Sequence, residues 1–145
     1  MRAAFRPVRK IARLWPFGHK RVLILEDDTT MQRLVTKLLK SLPVRVDVFG
    51  NGRDVVRKIA SESARYDALL VDLMMPHEGG LTVLRNLQAN NTALLRRVIL
   101  MTASGSSITD PWSHLVFAVV RKPFDGSALV NTVRECVRQP ESSVA

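Results

Sequence analysis

From residue 21 onward the chain alternates short, largely unbroken apolar runs with stretches in which apolar residues return every three or four positions. The runs are Val22 to Leu25, Val44 to Phe49 (where Arg45 and Asp47 interrupt), Ala68 to Val71, Val98 to Met101 and Val116 to Val120. Rich in Val, Ile and Leu, they predict strands buried on both faces, as in a parallel sheet. Between the first two, Met31, Leu34, Val35, Leu38, Leu39 and Leu42 form the stripe of a helix lying on a sheet, with Thr29 or Thr30 placed to cap its start. After the Gly50-Asn51-Gly52 turn, a second helix is predicted over about Arg53 to Glu62, with Val55, Val56 and Ile59 inward. A third begins near Leu81, faces Leu81, Leu84 and Leu87 inward, and breaks at Asn90-Asn91-Thr92. The last follows Asp125, a good N-cap, and presents Leu129, Val133 and Val137. Between Ser104 and Leu115, Gly105 and Pro111 predict a shortened or irregular fourth helix. This order of elements predicts a doubly wound α/β domain with five parallel strands in the order 2-1-3-4-5, the flavodoxin-like arrangement.

Composition agrees with that picture and charge refines it. The 145 residues, 46% hydrophobic and 24% charged, are those of one packed domain. The net charge of +9 is unevenly spread: residues 1–21 hold Arg2, Arg6, Arg9, Lys10, Arg13, Lys20 and Arg21 and no acid, so 7 of the 9 belong there. The body keeps 15 basic and 13 acidic residues, a balance of only +2. The chain therefore divides into a basic leader (1–19), a domain (20–139) and a short tail (140–145). In the leader, Phe5, Val8, Ile11 or Ala12, and Trp15 fall near one helical face among Arg6, Arg9, Lys10 and Arg13, which reads either as an amphipathic helix for an anionic membrane or partner groove, or as a disordered tail. The body offers no recognition helix or aromatic-basic sheet for specific nucleic-acid binding. No apolar run approaches the roughly 20 residues of a membrane span and no secretory signal is visible, so a cytoplasmic protein is expected, with membrane association only through the leader. Cys136, the single cysteine, reads as a small helix residue, and His19, His77 and His114 lack the spacing of a metal site. Trp112, beside Pro111, is expected to plug the short fourth segment or to meet a partner.

The chemistry lies at the strand ends, where an open parallel sheet builds its crevice. The first strand run is followed by Glu26-Asp27-Asp28, the third by Asp72, the fourth by Thr102 and the fifth by Lys122-Pro123. Carboxylates gathered at one edge repel unless a cation neutralises them, and a hard divalent ion such as Mg²⁺ or Mn²⁺ meets that need with oxygen ligands. Beside it, an ionised Asp72 is suited to attack phosphorus, while Lys122 and the Thr102 hydroxyl suit the phosphoryl oxygens. Asp28 reads equally as a helix cap, a solvated residue or a metal neighbour.

The four blocks Leu23-Ile24-Leu25-Glu26-Asp27-Asp28, Leu70-Val71-Asp72-Leu73-Met74-Met75-Pro76 with Gly80, Met101-Thr102-Ala103 and Lys122-Pro123-Phe124 together resemble the receiver domain of two-component response regulators, over about Lys20 to Arg138. The resemblance implies that Asp72 is the phosphoacceptor, that Glu26, Asp27, Asp72 and the Met74 carbonyl hold Mg²⁺, that Thr102 is the switch hydroxyl, and that Lys122 contacts the phosphoryl group ahead of a cis bond to Pro123. It implies a signalling domain rather than an enzyme with its own substrate: phosphoryl would come from a sensor histidine kinase or phosphotransfer protein, and output would pass to a downstream protein, through a homodimer in many relatives. With so little chain after the last helix, output by protein contact is expected. Three positions depart from the family pattern: Val119 stands where Tyr or Phe is usual, with Phe117 two residues earlier; the fourth helix is shortened; and Glu78-Gly79 precedes Gly80 where an acidic residue usually sits directly before the glycine. The rival expectations are a receiver fold used as a non-phosphorylated interaction module, for which Val119 and the reduced fourth helix are the best arguments, and an adaptor tethered to a membrane or another polyanion by its leader.

Overall fold

The computed structural model of the chain describes residues 20–61, 65–103 and 111–140. The leader and most of the segment expected to form the shortened fourth helix therefore lie outside the described residues. Five strands, β1 (Arg21–Leu25), β2 (Arg45–Phe49), β3 (Ala68–Asp72), β4 (Val98–Thr102) and β5 (Ala118–Arg121), form one sheet in the order β2-β1-β3-β4-β5. Every pairing is parallel, with Val22 opposite both Val46 and Ala68, Leu70 opposite Ile99 and Leu100 opposite Val119. Between the strands run α1 (Thr29–Leu39), α2 (Gly52–Ser61), α3 (Gly80–Asn90) and the single turn α4 (Thr92–Leu95); α5 (Gly126–Val137) closes the chain.

Alternate side chains of a strand point to opposite faces, so each continuous apolar run feeds two cores. Leu23, Leu25, Leu69, Val71, Val98 and Leu100 pack with Val55 of α2 and Val83, Leu84 and Leu87 of α3. Val22, Ile24, Leu70, Ile99 and Met101 pack on the other face with Val35 and Leu39 of α1 and Leu129, Val133, Cys136 and Val137 of α5. Burying one such aliphatic side chain is worth about 1.5–3 kcal/mol, which makes these three central strands the main source of stability.

Several local expectations are corrected. The edge strands β2 and β5 are only partly buried, and Val48 is 40% exposed, because each lacks a neighbour on one side. Within α1, Leu34 turns outward at 45% exposure, and the cap is Asp28 rather than Thr29 or Thr30. Asp28 is extended and its carboxylate accepts the Thr30 N–H at 3.0 Å, leaving both threonines inside the helix. In α3 the buried aliphatic next to Leu84 is Val83, and Leu81 is only partly buried. Asn91 ends α3 and at once caps α4, its side chain accepting the Leu94 N–H at 3.1 Å. Residues 111–117 form turns, with Trp112 buried against the α2/α3 core and its carbonyl accepting the Leu115 N–H at 2.8 Å. Arg97, ahead of β4, is buried; its guanidinium donates to the carbonyls of Asp67, Cys136, Gln139 and Pro140, which ties the end of α5 to the sheet.

Candidate phosphoryl-transfer site

β1, β3, β4 and β5 all end at one edge, and there their next residues become polar. Glu26 prolongs β1 with its N–H donating to the Phe49 carbonyl at 2.9 Å, and its side chain is 1% exposed. One carboxylate oxygen, Oε2, accepts the Asp28 N–H at 3.2 Å. Asp72 ends β3 with its side chain 5% exposed, and Oδ1 accepts the Met74 N–H at 3.0 Å. Lys122 follows β5, where its N–H donates to the Thr102 carbonyl at 2.7 Å, and its bond to Pro123 is cis.

The Lys122 ammonium lies between the two buried carboxylates, 2.9 Å from Glu26 Oε1 and 3.1 Å from Asp72 Oδ2. Burial, the largest single influence, lowers the pKa of this ammonium, but the hydrogen bonds from Glu26 and Asp72 and their charges together outweigh it and raise the pKa above its ordinary 10.5. Asp27 is exposed beside this group, and one oxygen each from Glu26, Asp27 and Asp72 lie within 4.8 Å of one another. Two ligands of one Mg²⁺ are at most about 4.2 Å apart, so small side-chain rotations bring these all-oxygen donors to its dimensions. The residues present thus fit a hard divalent cation.

Thr102 ends β4, 1% exposed, one position beyond the Met101 that pairs with Asp72. Met74 offers its N–H to Asp72, and its side chain is half exposed over the crevice loop. Asp28 is engaged as the α1 cap, apart from the acidic cluster. Phe117 does not replace the missing aromatic, since it packs on the α1/α5 face whereas Val119 packs on the α2/α3 face.

The wall of the crevice depends on residues that sequence reasoning treated as minor. A Cβ on Gly80 would come 2.5 Å from the Asp72 carbonyl and 2.9 Å from Leu73 Cα, so only glycine lets α3 start against the end of β3. The Gly52 N–H donates to the Glu78 carbonyl at 2.8 Å, and Arg53 Nε pairs with the Glu78 carboxylate, locking this loop to α2. His77 takes the left-handed conformation at φ 60° inside the same loop. The Glu78-Gly79-Gly80 sequence stood out only as a departure from the family pattern, and nothing in it named Arg53 as partner.

Comparison with known proteins gives a consistent picture. A family model described as the response regulator receiver domain matches residues 22–134. The response regulator ArlR of Staphylococcus saprophyticus is 30% identical over 128 residues, covering 86% of this chain and 56% of that protein. The transcription factor SKN7 of Chaetomium thermophilum is 28% identical over 151 residues, 96% of this chain and 19% of that protein. The chain thus spans between a fifth and just over half of the length of these curated relatives. Among solved structures, the response regulator TrrA of Thermotoga maritima in complex with Mg²⁺-BeF superposes with a TM-score of 0.70 at 26% identity, covering 81% of this chain and 98% of that one. The signal receiver domain of a LuxO repressor from Vibrio parahaemolyticus reaches 0.73 at 24% identity, covering 83% and 91%. Among the described residues, no helix is long and apolar enough to cross a membrane.

Proposed function

The chain belongs to the response regulator receiver family, and from that premise we propose that it takes a phosphoryl group onto Asp72 from a histidine kinase or phosphotransfer protein and passes the signal on by protein contact. Receiver domains of this family are two-component signalling modules, and metal binding at their acidic pocket is typical of them. The observation that carries the proposal is the Lys122 ammonium bridging Glu26 and Asp72, with Asp27 completing an oxygen cluster.

In the transfer, a carboxylate oxygen of Asp72 forms a bond to phosphorus as the phosphorus–nitrogen bond of a phosphohistidine breaks, and the departing imidazole keeps the electron pair and takes up a proton. The Met74 N–H, donating to Oδ1, holds the Asp72 carboxylate in one orientation while its second oxygen faces Lys122. Lys122 and the Thr102 hydroxyl serve as partners for the equatorial oxygens, where charge accumulates in the transition state. Glu26, Asp27, Asp72 and the Met74 carbonyl would hold Mg²⁺ or Mn²⁺, which when bound neutralises the charge that would otherwise repel an incoming phosphoryl group. The Mg²⁺-BeF complex of TrrA supports the same role for the matching pocket here.

Once formed, the aspartyl phosphate adds charge beside Lys122 and Thr102, which biases the loops they anchor. Because Val119 replaces an aromatic, the read-out rests on Thr102 rather than on an inward-swinging ring. Beryllofluoride, whose geometry resembles a phosphoryl group, tests the site directly. The native chain is expected to bind it only with Mg²⁺, and Asp72→Asn to lose binding; metal-independent binding, or binding retained in Asp72→Asn, would exclude this site.

A further inference from the structure

The two ends of the sheet carry opposite charge. Because all strands run parallel and the helices return between them, strand starts and helix ends share the end remote from the crevice. The crevice end gathers Glu26, Asp27, Asp28, Asp72, Glu78 and Asp125. The remote end presents Lys37 in the last turn of α1, Lys40 just after it, Arg45 at the start of β2, Arg96 after α4, and Arg134 and Arg138 at the end of α5. Among the described residues its carboxylates include Asp67, Asp47 and Glu135; Asp67 is engaged by Lys20 and by the Arg21 N–H, and Asp47 by the Arg21 guanidinium and the Tyr66 hydroxyl. Lys37, Lys40, Arg45 and Arg96 are exposed and make no ion pair among the described residues. Cations in a last helical turn or at the C-cap, such as Lys37, Lys40 and Arg96, are ordinary partners of the helix dipole, but Arg45 opens an edge strand and has no helix end to serve.

The basic leader joins the domain at this same end. The Arg45 N–H donates to the carbonyl of Lys20, the residue at which residues 1–19 connect. Lys20 and Arg21 are engaged by Asp67 and Asp47, and the sequence of residues 1–19, with five further cations, joins the chain at this end, where the domain also exposes Val48 on its edge strand and Leu34 on α1. Within the leader sequence, Phe5, Val8, Ile11 and Trp15 alternate with Arg6, Arg9, Lys10 and Arg13. Cations interleaved with large apolar residues suit a lipid headgroup layer above hydrocarbon, whereas a nucleic acid uses the cations alone.

We propose that the end of the domain opposite the acidic crevice binds an anionic lipid surface through Lys37, Lys40 and Arg45, at the end where the basic leader joins, with the crevice left facing away from it. Each cation near such a surface strengthens partition about fivefold, so the three body residues together account for a factor on the order of a hundred.

The test is co-sedimentation of the full chain with phosphatidylcholine vesicles, with and without phosphatidylserine, at low and physiological ionic strength. Binding is expected only with phosphatidylserine and is expected to weaken with salt. The variant K37Q/K40Q/R45Q should lose on the order of a hundredfold, and Arg121→Gln at the crevice end should leave binding unchanged. If the triple variant does not fold, as judged by its unfolding transition, the pair R96Q/R134Q takes its place, with loss again expected. Binding to neutral vesicles as strong as to anionic ones, no vesicle binding at low salt, undiminished binding by the folded body variant, or tighter binding to duplex DNA than to vesicles would each overturn the proposal. None of these measurements depends on phosphorylation of Asp72, so failure here leaves the phosphoryl-acceptor function standing.

Discussion

Replacing Lys122 with methionine keeps most of the stem and removes the cation between two buried carboxylates. Glu26 and Asp72, with side chains 1% and 5% exposed, would then face each other without the ammonium that stands 2.9 and 3.1 Å from them. Breaking a fully buried ion pair costs about 3–5 kcal/mol, mainly because a charge is left uncompensated. The Lys122 side chain is itself 22% exposed, which lets water compensate part of the loss, and about 2–3 kcal/mol is expected. For a domain of this size that lowers Tm by on the order of 10 °C. Urea unfolding in the absence of divalent ions should show the midpoint falling at unchanged slope. Millimolar Mg²⁺ should stabilise Lys122→Met more than the native chain, since the acidic cluster then lacks its internal cation. A loss below about 0.5 kcal/mol, or equal stabilisation of both proteins by Mg²⁺, would refute the electrostatic account of this site.

Other perturbations probe separate parts of the structure. Gly80→Ala places a methyl 2.5 Å from the Asp72 carbonyl, so it should destabilise by several kcal/mol, roughly as overpacking does, and weaken Mg²⁺ binding; an unchanged urea midpoint would contradict the close approach. Burial of the Cys136 thiol pushes its pKa up from 9.0 to about 12, so its contribution is complete below pH 9 and lost as pH rises towards 12. Native chain and Cys136→Ala should therefore converge in stability over that range, and the native thiol should resist alkylation at pH 8 until urea unfolds the domain. Asp47 behaves oppositely: burial, the largest influence, pushes its pKa up, but hydrogen bonds from Tyr66 and Arg21 and the charges of Arg21 and Lys58 together hold it below 3.8. Its contribution is present above pH 3.8 and lost as pH falls through the lower folded value, so Asp47→Asn should flatten the acid limb of a stability profile.

The parts of this structure that follow short-range rules were legible in the sequence. Four unbroken apolar runs and the alternating run Val44 to Phe49, interrupted by Arg45 and Asp47, marked five strands, and the polar residues that follow the central runs marked the crevice. Less legible were features set by what lies across a gap in the chain. Edge exposure of β2 and β5 depends on strand order, and the outward turn of Leu34 depends on where α5 packs. Asp28 took the cap from two adjacent threonines because the chain stays extended one residue longer after Glu26. The Arg97 carbonyl cage joins segments about forty residues apart, and Arg53 with Glu78 about twenty-five, separations at which side-chain type alone names no partner. Lys122 was identified as a partner for phosphoryl oxygens; that it bridges Glu26 and Asp72 emerged only from the geometry.

Whether Asp72 accepts the phosphoryl group is decided by intact-mass measurement after incubation with a small acyl phosphate. With Mg²⁺ and a rapid quench, the native chain is expected to gain one phosphoryl group, lost again on mild alkaline hydrolysis, while Asp72→Asn and the metal-free native chain gain none. A phosphoryl group retained in Asp72→Asn, or none on the native chain although it binds Mg²⁺ and beryllofluoride, would contradict the assignment.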